Sequence, residues 1–329
     1  IEDPAGPFPL GWHTTGWGTF VVSEPLGAAT WFPANDHPRD KATFVMAVTV
    51  DNDEVAAASG VLIDRTTVGD RTTWTWEMND PMATYLASVA TGPFTITEES
   101  DVAGVQIRHV LTTEPLAGVD LADIRPLLDE TDDMLREFSA LFGPYPFDSY
   151  GVLLVPEAFG FALENQTLSI FGTDFFEPAV RDGLAEQVLA HELAHQWFGN
   201  HVSPGNWEHI WLNEGFATWA DLYWAERQGT DRFENYAAIQ FGPLVGLESS
   251  ELFDANVYYR GALTLETLRR TIGDEPFFAL LRTWSDRFGG SVASTEDFFV
   301  LVEEQAGGTA AELMRDWVTS PSMPTLPDR

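Results

Sequence analysis

The stretch His191-Glu192-Leu193-Ala194-His195, followed after eighteen residues by Glu214, decides how the rest of this chain is interpreted. Residues four apart in an α-helix lie on the same face, so two histidines spaced in this way can bind one ion. Two neutral imidazoles and one carboxylate are a typical donor set for Zn²⁺, and they leave a fourth position open for water or substrate. We therefore predict one Zn²⁺ per chain, bound by His191, His195 and Glu214.

Glu192 directly follows the first histidine, as does the general base in the His-Glu-x-x-His motif of metallopeptidases. The alternative is an ordinary amphipathic helix with a solvated polar face. The neighbouring residues argue against it, because a buried helix carries histidine and glutamate side chains only when they have partners. These neighbours are apolar: Val188, Leu189, Leu193, Ala194, Trp197 and Phe198.

A longer form of this motif and three further stretches are informative. The zinc motif extends through His191-Glu-Leu-Ala-His-Gln-Trp-Phe-Gly-Asn200, and Glu214 lies in Trp211-Leu-Asn-Glu-Gly-Phe-Ala217. Upstream stands Phe161-Ala-Leu-Glu-Asn165, and downstream stands Tyr258-Tyr-Arg-Gly261. Together they resemble the aminopeptidase N family of zinc metallopeptidases, in the gluzincin clan. The family has Gly-x-Met-Glu-Asn and Tyr-x-Lys-Gly at the last two places, so this chain departs from it at Phe161, Leu163 and Arg260.

The resemblance covers the chain from about Glu24 to its C-terminus, since family signatures also match Phe32–Pro38, Lys41–Phe44, Pro81–Leu86 and Gly143–Phe147. It implies an α+β fold. An N-terminal antiparallel β-domain, saddle-like and partial, would span residues 1–118. A thermolysin-like zinc catalytic domain with a short C-terminal tail would span residues 119–329.

The resemblance also implies roles for residues outside the zinc motif. Tyr258, rather than its neighbour Tyr259, would donate a hydrogen bond to the oxyanion of the tetrahedral intermediate. Glu164 and Glu24 would bind the amino terminus of the substrate, and the Ala162 backbone would line the peptide site like a strand added to a sheet edge. The ordinary alternatives are a core tyrosine and surface acids.

Local patterns place these motifs on secondary structure. Short β-branched and aromatic runs predict strands at 43–50, 72–76, 106–111, 150–155 and 167–171. Apolar spacing of three to four predicts helices at about 125–142, 182–199, 213–229, 261–272, 276–288 and 295–305. Asp182 and Asn213 are the expected N-caps of the two zinc-binding helices. His201 and His209 lack ligand spacing, and we interpret both as loop residues.

The formal net charge of −34 excludes most nucleic-acid and anionic-membrane binders, which need basic patches. It favours the attraction of a protonated peptide amino terminus. The chain has no cysteine and no apolar run long enough to span a membrane. It begins at Ile1 rather than Met, which predicts processing or truncation upstream. We expect a secreted or cell-surface location rather than a cytoplasmic one.

The sequence therefore predicts a zinc aminopeptidase that cleaves the N-terminal peptide bond with a metal-activated water and Glu192 as base. The alternatives within the same site are a thermolysin-like endopeptidase and an epoxide hydrolase. Glu164 argues against the first, and no motif supports the second. A non-catalytic binding scaffold of the same fold would require a broken ligand set, whereas every ligand and the base are present here.

Overall fold

A computed structural model describes residues 10–102, 104–116, 118–177 and 181–329 of this chain. It contains two compact units, one formed by residues up to 136 and 146–192, the other by residues 137–145 and 193–329. These units differ from the domain boundary predicted near residue 118, which stays a prediction. The predicted α+β class is confirmed, with antiparallel sheets first and helices after them. Within the described residues, no helix combines the length and apolar character needed to cross a bilayer.

Two antiparallel sheets form the first part of the first unit. One has four strands in the order β1-β2-β7-β4, and the other has three in the order β3-β6-β5. The strands predicted at 43–50 and 72–76 are confirmed, and they correspond to β3 and β6. The strands are β1 (Gly11–Thr14), β2 (Thr19–Val22), β3 (Ala42–Asp51), β4 (Val55–Ala58), β5 (Val61–Val68), β6 (Arg71–Met82) and β7 (Val89–Gly92).

The third sheet combines segments that are distant in sequence. Its path is β10-β9-β11-β13-β12, and β8 pairs antiparallel with β9. β9 pairs parallel with both β10 and β11, so the sheet joins strands from either side of residue 118. Its strands are β8 (Phe94–Val102), β9 (Val105–Thr112), β10 (Ser149–Tyr150), β11 (Val152–Leu154), β12 (Ala162–Leu163) and β13 (Ser169–Phe171).

The apolar core of the first unit explains the order of these strands. β9, β11 and β13 contribute Val110, Leu153 and Ile170, which are fully buried in one cluster with Phe20 of β2. A strand buried on both faces reads as a continuous apolar run, as Val152–Val155 does. This core fixes the sheet edge that carries β12, where the predicted substrate residues begin.

Helices build most of the second unit. All residues of α3 from Trp211 to Trp224 are buried, so this helix is its centre. The predictions for α5 to α7 are confirmed to within two residues. The described α-helices are α1 (Leu121–Phe142), α2 (Arg181–Ala194), α3 (Trp211–Arg227), α4 (Phe233–Ala237), α5 (Gly261–Ile272), α6 (Asp274–Phe288), α7 (Thr295–Ala306) and α8 (Gly308–Thr319). Two short strands, β14 (Ser203–Pro204) and β15 (Val292–Ala293), pair in parallel.

The predicted boundaries of α2 and α3 are wrong. α2 ends at Ala194 rather than near Gly199, because the backbone beyond it changes to i−3 and then i−5 hydrogen bonds up to Val202. α3 begins at Trp211, two residues before the predicted cap Asn213. The Asn213 side chain instead packs against Gly199, whose φ of +120° lets the backbone approach closely. The predicted cap Asp182 falls inside α2, and its side chain lies outside the described residues.

Two glycines bring α3 and α5 into direct backbone contact. A Cβ atom added to Gly215 would lie 2.7 Å from the Cα of Gly261, and one added to Gly261 would lie 2.6 Å from the Cα of Gly215. Each glycine directly follows a residue of a predicted functional motif, Glu214 or Arg260. The absence of a side chain at both positions therefore sets the distance between the zinc-ligand helix and the tyrosine turn.

We expect Gly215→Ala to destabilise the protein despite its helical position. Helix propensity alone would raise the free energy of unfolding by up to about 1 kcal/mol. The added methyl group would meet backbone that cannot rotate away, an overpacking that costs about 1–3 kcal/mol. Thermal unfolding should therefore show a lower Tm.

Gly308→Ala is the matched control, because Gly308 is also helical and a Cβ there meets nothing within 4 Å. It should be neutral or stabilising. A Gly215→Ala protein as stable as the wild type would show that the two helices can move apart freely.

Candidate metal centre

The predicted ligand His191 lies on α2, and His195 directly follows the last residue of that helix, Ala194. The boundary between the compact units falls inside α2, between Glu192 and Leu193. His191 thus stands four residues before His195, and Glu214 lies in the first turn of α3. Within the second unit, His195 and Glu214 approach each other through one ring nitrogen and one carboxylate oxygen. His191 keeps the spacing from His195 that the sequence predicts for a shared ion, and its place in the ligand set stays a prediction.

The orientation of His195 fits a metal ligand. Its Nδ1 lies 3.0 Å from the carbonyl oxygen of Phe198, which accepts a hydrogen bond when Nδ1 carries the proton. The neutral ring then presents the lone pair of Nε2, which lies 3.5 Å from Oε2 of Glu214. Two acceptors facing each other are unfavourable unless a cation binds both. Ligand atoms on one tetrahedral Zn²⁺ lie roughly 3.4 Å apart, so this spacing fits the ion.

Glu214 approaches from a helix whose start is firmly held. Asn206 caps a short 3₁₀ turn at Trp207–His209 that leads into α3. His209 and Trp211 then share one partner: Nδ1 of His209 lies 3.1 Å from Oγ1 of Thr295, to which Trp211 Nε1 donates at 2.9 Å. His209 thus anchors this turn and lies outside the ligand group, as the sequence predicts.

Glu192 lies on α2 between the two histidine ligands and is 5% exposed. A carboxylate in this setting is close to the donor set without belonging to it, which suits a base acting on a water held there. Burial raises the pKa of Tyr150, and the negative charge of Glu192 adds a smaller contribution in the same direction. The catalytic role of Glu192 stays a prediction.

The two predicted amine-binding glutamates meet within the first unit. Glu24 and Glu164 are 7% and 3% exposed, and each offers a carboxylate oxygen within 4.8 Å of the other. Glu24 follows β2, and Glu164 directly follows β12. Sequence positions 140 residues apart are thus brought to one place, although their role in binding substrate stays a prediction.

The backbone around Glu164 is anchored to another family motif. The carbonyl oxygen of Leu86 accepts from Gln166 N at 3.1 Å and from Asn165 Nδ2 at 3.3 Å. Leu86 ends the Pro81–Leu86 signature found in the sequence. The end of the Pro81–Leu86 segment therefore holds in place the backbone that follows Glu164.

Ala162 occupies an edge strand. β12 pairs with β13 through Ala162 and Phe171 and ends the path of its sheet. An edge strand can accept an added peptide strand through its outer backbone groups. The position therefore agrees with the predicted role of Ala162, which no contact in the structure tests.

Thr167 adopts a strained backbone conformation three residues after Glu164. Its φ is +67°, a genuine outlier for a β-branched side chain. The residue is buried, and its Oγ1 accepts from the Gly60 backbone N–H at 2.8 Å. Strain of about 1–3 kcal/mol at such a position persists only where the surroundings impose it, and it clusters at functional sites.

The two candidate tyrosines lie in a π-helical turn at Asn256–Arg260. Tyr259 is held in an aromatic stack, with its ring centroid 4.0 Å from that of Tyr236 and 5.7 Å from that of Phe241. Such a stack suits a packing residue, and π-turns inserted into helices are frequent at functional sites. The arrangement agrees with Tyr258 as the functional residue of the pair.

The sequence did not reveal several groups that shape this site. The Phe198 carbonyl carries no side-chain signal, and the carboxylate of Asp221, two helical turns after Glu214 on α3, is buried. The contact between Gly215 and Gly261 left one clue, because a glycine that follows a functional residue in each of two motifs indicates close backbone approach.

Replacing His195 with alanine should abolish stoichiometric zinc binding, because it removes one of three ligands. Glu192→Gln should keep one zinc per chain, since the donor set is intact. His209→Ala is the matched control, a histidine near the site that belongs to no ligand group. Elemental analysis after dialysis measures all three variants. Loss of zinc from His209→Ala but not from His195→Ala would place the ion elsewhere.

Curated relatives share much of this chain. Aminopeptidase M1-A of Oryza sativa subsp. japonica is 30% identical over 328 residues, and Aminopeptidase M1 of Arabidopsis thaliana is 28% identical over 328 residues. Each match covers 92% of this chain but only 37% of the relative. The chain thus spans little more than a third of the length of these proteins.

The similar solved structures are matched over a larger share of their own length. The crystal structure of the M1 zinc metallopeptidase from Deinococcus radiodurans is 36% identical, with a TM-score of 0.89, and the match covers 99% of this chain and 75% of that one. A mutant of the same protein bound to a Tyr-Ser-Ala substrate matches with a TM-score of 0.88.

The family assignment rests on two matching domains. The Peptidase M1 N-terminal domain matches residues 15–86, and the Peptidase family M1 domain matches residues 127–317. The second match alone covers more than half of the chain and contains all three candidate zinc ligands. The chain therefore belongs to the M1 family of peptidases.

Proposed function

We propose that this chain forms the catalytic part of a zinc aminopeptidase, which removes the first residue of peptides that have a free amino terminus. The names of its relatives and the peptide substrate of the Deinococcus structure support a peptidase. The ligand set His191, His195 and Glu214 supports zinc as its metal. The preference for an aminopeptidase over an endopeptidase depends on two buried glutamates of the first unit.

The buried carboxylate pair of Glu24 and Glu164 is the observation that carries this choice. Two buried carboxylates with oxygens within 4.8 Å repel each other, and a cation bound close to both would relieve that repulsion. An α-ammonium group has one positive charge and three donors, so it can bind to both carboxylates at once. A peptide held there by its first amino group can be cut only near that end.

The proposed reaction divides the work among the chain's own residues. When bound, the zinc ion supplies a Lewis acid that acidifies a water molecule and polarises the scissile carbonyl. Glu192 takes the proton of that water on its carboxylate and passes it to the leaving amine. The Tyr258 hydroxyl donates a hydrogen bond to the developing oxyanion, while Glu164 and Glu24 fix the substrate amine.

An endopeptidase is the second candidate function, because the same zinc site would serve it. It requires no buried anionic partner for an amino terminus. The two functions therefore differ in how blocked substrates react, which gives the decisive experiment.

Glu164→Gln should lower kcat/KM for an aminoacyl arylamide by about tenfold or more. A charge-assisted hydrogen bond to a buried ammonium contributes roughly 1.5–3 kcal/mol, and the amide keeps the shape while removing the charge. The N-acetylated arylamide should be a poor substrate of the wild type and should change little. Steady-state kinetics on both substrates measures the difference.

Glu312→Gln is the matched control, since it removes one carboxylate from an exposed position on α8. It tests whether the general loss of negative charge alters the attraction of cationic substrates. Equal cleavage of free and acetylated substrates by the wild type, unchanged in Glu164→Gln, would favour the endopeptidase.

Glu192→Gln should lose nearly all turnover while keeping its zinc and its Tm. The amide cannot accept the proton of the attacking water, whereas the ligand set is untouched. Steady-state rates are compared with zinc content for the same preparation. A Glu192→Gln enzyme with substantial activity and full zinc would assign the base to another residue.

A further inference from the structure

Arg260 is a buried cation at the end of the π-helical turn. It is 0% exposed, and its guanidinium donates to three backbone carbonyls in three directions. Nε donates to Trp317 O at 2.6 Å, Nη1 to Phe241 O at 3.0 Å and Nη2 to Ser320 O at 2.7 Å. Such charge-assisted bonds offset the cost of removing the guanidinium from water.

Two of these carbonyls belong to the end of α8. Its last carbonyl groups have no partners within the helix, and a cation is favourable at a helix C-terminus. The third carbonyl belongs to the segment before α5, and the Leu244 backbone N–H donates to Val318 O at 2.9 Å. Arg260 therefore joins the π-turn, the 241–244 segment and the end of α8 in one arrangement.

The turn is also fixed at its other residues. At its start, Asn256 Nδ2 donates to Pro243 O at 2.9 Å. Tyr259 stacks on Tyr236 and Phe241, and Gly261 contacts Gly215 beside the ligand Glu214. Tyr258 lies between these anchors. Its position relative to Glu214 thus depends on these surrounding contacts.

We propose that Arg260 is a positioning residue for Tyr258: by holding the π-turn against the end of α8, it keeps the tyrosine hydroxyl where the oxyanion forms. The proposal rests on the proposed function, which gives Tyr258 its role. An oxyanion donor must be held within about half an ångström of its productive position to be effective. The planar fork of arginine binds all three carbonyls simultaneously, whereas a lysine ammonium would act as a single point charge.

The test compares Arg260→Met and Arg260→Lys with wild type on a free-amine arylamide. Arg260→Met should lower kcat by about tenfold or more with KM changed less than about twofold, because the hydroxyl acts on the transition state. Arg260→Lys keeps the charge but not the three-way fork, so its kcat should lie between those of Arg260→Met and wild type. Zinc content should remain one per chain in both variants.

Arg270→Met is the matched control for losing a buried arginine. Arg270 lies on α5 with only 4% of its side chain exposed, and it binds Glu266, Glu234 and the Pro327 carbonyl. Its loss should lower the Tm as Arg260→Met does, but leave kcat within about twofold, because it holds no part of the π-turn. Equal losses of kcat in the two variants would overturn the proposal.

A double-mutant cycle with Tyr258→Phe separates the two hypotheses. If Arg260 acts through Tyr258, Arg260→Met should cost much less in a Tyr258→Phe protein than in wild type. Full additivity would overturn the role of Arg260 while leaving Tyr258 as the oxyanion donor. A fully active Tyr258→Phe protein would show instead that the proposed role of Tyr258 is wrong, and the inference would fall with it.

Discussion

The contact between Gly215 and Gly261 is the constraint on which the arrangement of the second unit depends. At this point two helices meet backbone to backbone, closer than any side chain allows. Helix pairs usually pack with their axes 8–10 Å apart, a distance set by the side chains between them. Because both positions are glycine, the backbone of α3, which carries Glu214, packs directly against the backbone that follows the π-helical turn of Tyr258. Both functional groups are then fixed by the same contact.

The family motifs of this chain divide into residues for chemistry and residues for support. His191, Glu192 and Glu164 are the candidates for the first kind. The second kind acts through backbone, as the Leu86 carbonyl does when it accepts from Asn165 and Gln166. Asp36 is similar, since its carboxylate accepts from the Ala29 N–H at 2.9 Å and from Thr84 Oγ1 at 3.2 Å. A motif can therefore persist for structural reasons even where it never contacts a substrate.

Much of this architecture could be predicted from the sequence because its signals are local. The zinc ligands follow from helical spacing, and α5, α6 and α7 follow from apolar periodicity. The start of α3 was missed because Asn213, a good cap residue by type, is used for packing against Gly199. The parallel pairing of β9 with β10 and β11 was also missed, because no local pattern records which distant strand lies beside which. The same reason hides the role of Arg260, whose three acceptors lie at residues 241, 317 and 320.

The backbone of Thr167 has a consequence for how such a protein can change. A residue held at φ +67° beside a candidate substrate-binding glutamate carries backbone strain that a glycine would relieve. Glycine would also remove the oxygen that accepts from the buried Gly60 N–H, and a buried donor without an acceptor costs about as much as the strain does. Screens or lineages that reward heat resistance would therefore gain little from glycine at position 167, whereas asparagine tolerates a positive φ and keeps a side-chain acceptor.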